Sequence, residues 1–303
     1  MKILEVKDHN HMPPINRYAI TWEINTLCNY ACDYCDLHGK DVSTNHDKVV
    51  EFINYVGSHK NVKLTLFGGE PSLHPDIINV LKNLNVKVEM YTNLSRRLDF
   101  YKEVILVKPD IELETSFHPS REKFDTFYEK VKYLADKLYK LEVVYMLDTA
   151  YPTYREDYEK IKKLRSDRVS TIIAKVEHSG QKSLSEEDEC WYMGEQEGKD
   201  LTITYEQDGL VQSTETISNY LFANRLNQFK YFLCGCGVHN IFIAYDGEVY
   251  PCLDYRRREV DPYFNVGDDY EEEFKKISTK EIVCKMNSCS SELGVPKKRI
   301  LSK

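Results

Sequence analysis

Three cysteines lie close together in the stretch Cys28-Asn-Tyr-Ala-Cys32-Asp-Tyr-Cys35. Three residues separate the first pair and two the second, so one short loop can bring all three sulfurs to a single soft metal centre. A structural zinc site or a four-iron cluster normally takes four protein ligands, but the next cysteine is Cys190 and the nearest other candidate ligand is His38. Three thiolates on a four-iron cluster leave one iron open. The stretch therefore predicts a metal centre that can bind a substrate or cofactor.

A second motif follows the apolar run 62–67, where residues 68–71 read Gly-Gly-Glu-Pro. Together with the C-x3-C-x2-C spacing and the aromatic Tyr34 before the last cysteine, it resembles the signature of the radical S-adenosylmethionine (SAM) superfamily. In that family the open iron of a three-cysteine cluster binds the amino and carboxylate groups of SAM. One electron from the cluster cleaves SAM to a 5'-deoxyadenosyl radical, which abstracts a hydrogen atom from the substrate.

The resemblance implies a role for each residue that matches the family's motifs. Cys28, Cys32 and Cys35 would hold the catalytic 4Fe-4S cluster. SAM would bind the loop, the Gly-Gly-Glu segment and the ends of two predicted strands, at Tyr34, Gly68, Gly69, Glu70, Asn93, Glu114, Ser116 and His118. Ser116 carries the most weight because a hydroxyl both donates and accepts hydrogen bonds. A structural role for His118 stays open, and Thr-Asn at 92–93 is also ordinary turn chemistry.

Composition and charge restrict the compartment and the partners. The 303 residues include nine cysteines, an odd and clustered set that suits metal ligation in a reducing compartment better than disulfides. No apolar run approaches the length of a membrane span, and the N-terminal sequence lacks a signal-peptide core. We therefore expect a cytoplasmic protein with no membrane partner. The net charge of -8 argues against a large nucleic-acid footprint.

Strand-like and helix-like segments alternate between residues 18 and 178, which predicts a parallel α/β sheet. The strand signals lie at 18–25, 62–67, 86–93, 111–118, 141–148 and 170–177, and the helical signals at 48–57, 75–84, 98–104, 123–139 and 153–165. The pattern is similar to the partial (β/α)6, TIM-like barrel of the radical SAM family. A polar linker, a hairpin at 201–213 and a helix at 216–229 complete a domain over 18–230, after an irregular arm at 1–17.

Side-chain parity within the strands predicts a polar interior. In the fourth strand the even-numbered residues from Glu112 to His118 are polar, whereas Ile111, Leu113 and Phe117 share the other face. The third strand divides in the same way. We expect the apolar faces to meet the helices and the polar faces to line a concave side that holds a charged cofactor. An antiparallel sheet with one wet face fits the alternation equally well, but it does not fit the intervening helices.

Five further cysteines occur toward the end of the chain: Cys234, Cys236, Cys252, Cys284 and Cys289. Residues 241–250 predict a hairpin with Asp-Gly at its turn, which returns Cys252 beside the first pair. Cys284 and Cys289 could close a four-thiolate site from a helix and the loop after it. The lone Cys190 reads as packed filler.

Residues 231–303 resemble the twitch type of auxiliary-cluster module, a shortened relative of the SPASM domain. The resemblance implies a small α+β domain whose hairpin helps to bind one auxiliary 4Fe-4S cluster. Cys-Gly-Cys-Gly at 234–237 resembles the family's Cys-x-x-Gly, which favours Cys234 as the ligand and leaves Cys236 as its rival. A structural zinc site is the alternative.

The sequence thus predicts a radical SAM enzyme whose auxiliary cluster either accepts an electron from the substrate radical or anchors the substrate. Ligation by four cysteines favours electron transfer, with SAM consumed and the substrate oxidised by two electrons. Regeneration of SAM would instead give a redox-neutral outcome such as an epimerisation.

Several partners are compatible with this chemistry. The substrate is a small metabolite such as a sugar or nucleoside, or a peptide or protein side chain, and RNA is disfavoured by the acidic balance. An electron donor such as flavodoxin or ferredoxin is expected. A non-catalytic protein that holds zinc in both cysteine groups is the alternative from a different class.

Overall fold

The computed structural model describes residues 2–8, 17–35, 39, 41–43, 45–175, 184–195, 201–216, 221, 224–289 and 295–300. The chain divides into two compact units. Unit 1 comprises residues 1–21, 45–63 and 198–303, and unit 2 comprises residues 22–44 and 64–197. The boundaries of these two units differ from the predicted domain boundaries at residues 17 and 230. The predicted domains therefore stay a prediction.

The strands are β1 (Lys2–Asp8), β2 (Arg17–Asn25), β3 (Asn61–Gly68), β4 (Lys87–Thr92), β5 (Glu112–Phe117), β6 (Lys140–Leu147), β7 (Val169–Lys175), β8 (Leu201–Gln207), β9 (Leu210–Thr216), β10 (Phe232–Cys234), β11 (Asn240–Ile243), β12 (Glu248–Tyr250), β13 (Phe264–Asn265), β14 (Ile282–Val283) and β15 (Lys297–Arg299). The helices are α1 (His46–His59), α2 (Ile77–Asn83), α3 (Leu98–Val107), α4 (Phe124–Lys137), α5 (Tyr154–Lys162), α6 (Glu186–Glu195), α7 (Leu253–Arg257) and α8 (Tyr270–Ile277), and a 3-10 turn covers Pro71–Leu73. Within the described ranges, none of these helices is long and apolar enough to span a membrane.

Unit 2 is built on a sheet whose strands follow one another in chain order from β2 to β7. Strands β4 to β7 pair in parallel, with Leu113 of β5 opposite Met90 of β4 and Leu141 of β6. A helix lies between each successive pair of strands from β3 to β7. The predicted α/β class and the order of its six strands are confirmed.

The predicted division of each strand into two faces is also confirmed in β5. Leu113 and Phe117 are buried, whereas Glu114, Ser116 and His118 are half-buried and line a cavity. The apolar face supplies the core because burial of large apolar side chains is the main favourable term in folding. The polar face is thereby left to form a site.

Unit 1 contains a six-stranded sheet in the order β14-β10-β15-β1-β8-β9. Strand β1 corrects the expectation of an irregular arm, because residues 2–8 pair with β8 and β15. A bulge between Ile3 and Glu5 places Ile3 and Val6 in the same core although they are three residues apart. This bulge breaks the period of two that identifies a strand in a sequence. Residues 9–16 lie outside the described residues.

The hairpin β11–β12 is confirmed, with Gly247 at its turn in a left-handed conformation, φ +85°. Two other expectations near it need correction. The bounds of the predicted helix 216–229 are wrong at both ends: Thr216 pairs with Leu201 in β9, and residues 224–229 are not helical, with Arg225 at φ +54°. Leu221 between them is helical. Cys284 follows strand β14 and not a helix, since its backbone N–H donates to Phe232 O at 2.8 Å.

Helix α6 was not predicted within the polar linker. Its Asp188 accepts a hydrogen bond from the Tyr154 hydroxyl, and Trp191 packs edge-on against Tyr158 at 5.9 Å between ring centroids. Cys190 on this helix is exposed, so its predicted role as packed filler is wrong.

We expect Phe117→Ala to lower the free energy of unfolding by about 3–5 kcal/mol. The ring is fully buried and lies 5.1 to 5.5 Å, between centroids, from the rings of Phe124, Phe127 and Tyr145. Urea unfolding followed by circular dichroism measures the loss, and Phe117→Leu is the matched control with a smaller effect. Equal stabilities of the alanine variant and the wild type would contradict this account of the core.

Candidate functional site

Every residue predicted for the first site lines a single cavity of about 360 Å³ in unit 2. The set consists of Cys28, Cys32, Tyr34, Cys35, Gly68, Gly69, Glu70, Asn93, Glu114, Ser116 and His118. These residues come from the loop after β2, from the segment after β3, and from the ends of β4 and β5. The ends of successive parallel strands meet at one edge of a sheet, which explains how distant segments reach one site.

The cysteine loop lies directly over the Gly-Gly segment. Gly69 N–H donates to Asn25 O at 2.9 Å, and Glu70 N–H donates to Leu27 O at 2.7 Å. A Cβ atom on Gly68 would lie 2.0 Å from Asn25 O, and one on Gly69 would lie 2.3 Å from Leu27 O. Glycine is therefore required at both positions for the loop to approach the strand so closely. This contact fixes the start of the three-cysteine loop.

Glu70 is 1% exposed, and its carboxylate accepts three hydrogen bonds from the protein. The donors are the backbone N–H of Ser72 at 3.1 Å, the hydroxyl of Thr92 at 2.8 Å and the backbone N–H of Asn93 at 2.6 Å. Burial raises the pKa of Glu70, and these hydrogen bonds oppose that effect. The carboxylate thus joins the Gly-Gly-Glu-Pro segment to the end of β4.

The side chain of Asn93 connects the end of β4 to the cysteine loop. Its Nδ2 donates to Asn29 Oδ1 at 3.1 Å and lies 4.0 Å from Cys28 Sγ. Ser95 Oγ donates to the same Asn29 oxygen at 3.1 Å. The amide therefore has a positioning role in addition to its place in the cavity wall. Asn29 was missed by sequence reasoning because it stands between the cysteines without a motif of its own.

His118 lies between two hydroxyl groups. Its Nδ1 is 2.5 Å from the Tyr34 hydroxyl, and its Nε2 is 2.8 Å from Ser116 Oγ. The rings of Tyr34 and His118 are parallel, with centroids 6.0 Å apart. Burial, with a smaller contribution from Arg121, lowers the pKa of His118 to about 4, so the imidazole is neutral at neutral pH. Cys32 Sγ lies 3.8 Å from Nδ1.

A half-buried ion pair beside the cavity was not predicted from the sequence. Glu122 and Lys130, each 12% exposed, are 2.9 Å apart. The Tyr30 hydroxyl donates to Glu122 at 3.2 Å, and Lys130 Nζ donates to the carbonyl of Leu94, which follows Asn93. The pair therefore ties a tyrosine of the cysteine motif to the loop after β4. Tyr30, which lies between the first two cysteines, was the one sequence feature that could have pointed to this ion pair.

Glu114 at the end of β5 places a carboxyl group in the wall of the same cavity. Burial, together with the nearby carboxylates of Glu142 and Glu89, raises the pKa of Glu114 to about 8. Tyr91 forms a hydrogen bond to Glu114, and the apolar side chain of Met146 lines the cavity as well. A group with this pKa exchanges a proton near neutral pH and can bind a polar ligand in either protonation state.

The five later cysteines are all buried, and they line a second cavity in unit 1. They are Cys234, Cys236, Cys252, Cys284 and Cys289. The hairpin argument predicted that Cys252 lies beside the first pair, and their role as cluster ligands stays a prediction. A hydrogen bond from Cys236 lowers the pKa of the Cys234 thiol to about 6, whereas burial raises the pKa of Cys284 to about 11.

The donor set of this second cavity suits soft metals. Buried thiols are ligands for both iron-sulfur clusters and zinc, and the side chains fit either group by their chemistry. Within the described residues, no three Cys, His, Asp or Glu side chains form a site for a single metal ion. His38 lies outside the described residues.

The SPASM family, described as an iron-sulfur cluster-binding domain, matches residues 234–294. A probable GTP 3',8-cyclase of Thermoplasma volcanium is 34% identical over 68 residues, which is 20% of this chain and 20% of that protein. The chain spans about a fifth to a quarter of the length of the curated relatives it matches, at 20% and 24%.

Two solved structures are similar in fold. Streptococcus suis SuiB, at 15% identity, has a TM-score of 0.56 over 86% of this chain and 65% of SuiB. Native anSMEcpe, solved with AdoMet and the Cp18Cys peptide bound, is 16% identical, with a TM-score of 0.54 over 86% of this chain and 80% of its own. At these identities the likeness shows the fold alone.

We expect Glu70→Gln to lower the free energy of unfolding by about 1–3 kcal/mol. In the wild type, three hydrogen-bond donors point at the two carboxylate oxygens. A glutamine amide replaces one of these oxygens by an NH2 group, which cannot accept a hydrogen bond. Urea unfolding measures this loss. Thr92→Val is the comparison variant: it removes one of the three hydrogen bonds to Glu70 together with the contacts of the same hydroxyl with the Leu94 N–H and the Tyr101 hydroxyl, and it should cost about 1–3 kcal/mol. A glutamine variant as stable as the wild type would show that the carboxylate does not join the two motifs.

Proposed function

We propose that this chain, whose residues 234–294 match the SPASM family, is a radical SAM enzyme that cleaves SAM reductively to generate a 5'-deoxyadenosyl radical. That radical abstracts a hydrogen atom from a substrate. Cys28, Cys32 and Cys35 would hold a 4Fe-4S cluster, and this cluster would supply the electron. The protein acts by positioning SAM and substrate and by excluding competing reactions.

One observation carries the proposal: three thiols that can leave an iron open share a single cavity with the Gly-Gly-Glu segment and the polar ends of β4 and β5. The backbone of Gly68 and Gly69 would meet the amino group of SAM, with no side chain in the way. Ser116 and Asn93 would take polar groups of the ribose and carboxylate. Tyr34, at the edge of the same cavity, would lie near the adenine.

Glu70 and His118 both make hydrogen bonds within the protein, and these bonds determine the roles that we propose for them. The Glu70 carboxylate already accepts three hydrogen bonds from the protein, so we assign it to positioning Asn93 beside the cysteine loop. His118 is held between Tyr34 and Ser116, and it would orient the serine hydroxyl toward the ribose. Glu114 would contact either the ribose or the substrate beyond it.

We assign the second cysteine cavity to an auxiliary 4Fe-4S cluster that accepts an electron from the substrate radical. The match of residues 234–294 to an iron-sulfur cluster-binding domain supports this assignment. SAM is then consumed, and the substrate is oxidised by two electrons. A carrier such as flavodoxin or ferredoxin exchanges electrons with the clusters, and the predicted cytoplasmic location suits such carriers.

The substrate is a small metabolite, for example a sugar or nucleoside, or a peptide. The similarity to a probable GTP 3',8-cyclase, whose name gives a nucleotide substrate, supports a small metabolite. The peptide bound in anSMEcpe supports peptide modification as the second candidate function. Deuterium transfer into 5'-deoxyadenosine from labelled candidates of each class separates the two, because only the true substrate donates the abstracted hydrogen.

We expect the combined change Cys28→Ala, Cys32→Ala and Cys35→Ala to abolish formation of 5'-deoxyadenosine, because no iron remains to bind and reduce SAM. Anaerobically reconstituted protein is incubated with SAM and dithionite, and the product is quantified by chromatography. Iron in the auxiliary cluster should be retained. Cys190→Ala is the matched control, since this thiol is exposed. Undiminished 5'-deoxyadenosine in the triple variant would end the proposal.

In that triple-alanine background, the added change Cys234→Ala should remove the remaining iron, whereas Cys236→Ala should retain it. This expectation follows from the resemblance that favours Cys234 as the ligand. Iron per protein and absorption near 400 nm are the measurements, and a colourless protein that carries zinc would support the zinc alternative. Equal loss of iron from both variants would show that the assignment of the pair is wrong.

A further inference from the structure

The three-cysteine loop has little regular structure of its own. Between Cys28 and Cys35 it forms neither a helix nor a strand. A backbone hydrogen bond joins the N–H of Cys35 to Cys32 O at 3.1 Å and closes a turn at the end of the loop. The shape of such a segment depends on the contacts that other parts of the chain make with it.

One short turn supplies several of these contacts. It covers residues 118–122, between β5 and α4, and the N–H groups of Arg121 and Glu122 both donate to His118 O, at 2.9 and 3.2 Å. Two hydrogen bonds to a single carbonyl group hold the backbone of the turn in one conformation. Its side chains therefore approach the cysteine loop from a fixed position.

Arg121 contacts the middle of the cysteine loop. Its Nη2 donates to the backbone carbonyl of Ala31, the residue before the second cysteine. The same nitrogen lies 3.8 Å from the carboxylate of Asp33, which is exposed. An exposed ion pair contributes little to stability, whereas a hydrogen bond from a charged donor contributes more than one between neutral groups. The contact with the carbonyl is therefore the important one.

Glu122 contacts the first half of the loop. It accepts a hydrogen bond from the Tyr30 hydroxyl at 3.2 Å, and Lys130 of α4 lies 2.9 Å from the same carboxylate. The side chains of Glu122 and Lys130 are each only 12% exposed. The lysine thus fixes the acceptor to which the tyrosine of the loop is bound.

We propose that the turn at residues 118–122 holds the three-cysteine loop in its ligand-binding shape before a cluster is bound, with Arg121 and Glu122 as positioning residues. The inference rests on the proposed function of the first site. Ligands that already lie in place lose less conformational freedom when they bind. Removal of these contacts should therefore loosen the loop and weaken its hold on the cluster.

The same turn also reaches the proposed SAM site. His118 begins it, and this ring lies between the Tyr34 hydroxyl of the cysteine loop, at 2.5 Å, and Ser116 Oγ, at 2.8 Å. Ser116 is the proposed contact for the ribose. One turn thus sets the position of the cysteine loop relative to a side chain that would bind SAM.

The first test measures the loop in the metal-free full chain by amide hydrogen exchange and mass spectrometry. In Arg121→Met, the amides of residues 28–35 should exchange about tenfold faster, because a hydrogen bond from a charged donor is lost. Tyr30→Phe removes the hydroxyl that binds Glu122 and should act in the same direction. Exchange in β5 and α4 should stay unchanged, which separates a local effect from general unfolding.

Two matched variants identify the interaction responsible. Arg121→Lys retains a charged donor and should restore most of the protection of the loop. Asp33→Asn removes the carboxylate beside Arg121 but leaves the Ala31 carbonyl in place, so exchange in the loop should stay near that of the wild type.

The second test follows the cluster of the first site in reconstituted protein. Only a cluster with an open iron can bind SAM, so a change in the EPR spectrum on addition of SAM distinguishes it from the second cluster. Samples are held with an iron chelator for increasing times, reduced, mixed with SAM and frozen. The SAM-responsive signal should be lost about tenfold faster in Arg121→Met than in the wild type, and Arg121→Lys should slow this loss again.

Wild-type rates of exchange and of signal loss in both Arg121→Met and Tyr30→Phe would overturn the inference while the proposed function stands. Equal effects of Arg121→Met and Arg121→Lys would also overturn it, because the charged donor would then not be what holds the loop. An unsubstituted chain without a SAM-responsive signal would overturn the proposed function, and the inference would fail with it.

Discussion

The buried carboxylate of Glu70 is the interaction on which the first site depends. It joins the segment after β3 to the end of β4, and the two glycines before it allow the cysteine loop to lie against the same strand. A larger residue at either glycine would displace the loop and the thiols with it. The Gly-Gly-Glu segment therefore connects the cysteine loop to the end of β4, and it is also a candidate contact for SAM. Its proposed ligand-binding role and its structural role involve the same three residues.

The parallel sheet and the polar interior of unit 2 could be predicted from local signals. A period of two identifies which face of β5 is polar, and a regular alternation of strands and helices predicts a parallel α/β sheet. The order of the strands and the eleven residues of the first site, which line one cavity, were predicted from the resemblance to the radical SAM family. The contacts that Asn29 and Lys130 make could not be predicted, since they join segments far apart in the sequence through polar side chains that belong to no motif.

Irregular backbone explains the predictions that were wrong. The bulge in β1 shifts the apolar pattern by one residue, so residues 2–8 look irregular although they pair with two strands. Arg225 adopts a left-handed conformation within the apolar pattern that suggested a helix. Cys284 sits in an extended segment because its backbone pairs with Phe232. In each case a long-range hydrogen bond or a single unusual φ angle overrode the local pattern, as tertiary context often does.

The two cavities differ in the charge that the protein places around their cysteines. Among the described residues, the lining of the first cavity includes the carboxylates of Glu70 and Glu114 and contains no Lys or Arg, whereas the lining of the second includes both Asp254 and Lys297. A cluster that must reduce SAM has to be a strong reductant, and neutral or anionic surroundings favour a low potential. The lining of the second cavity combines one carboxylate with one lysine. The first cavity is thus the more anionic of the two, which suits the cluster that we propose as the electron donor to SAM.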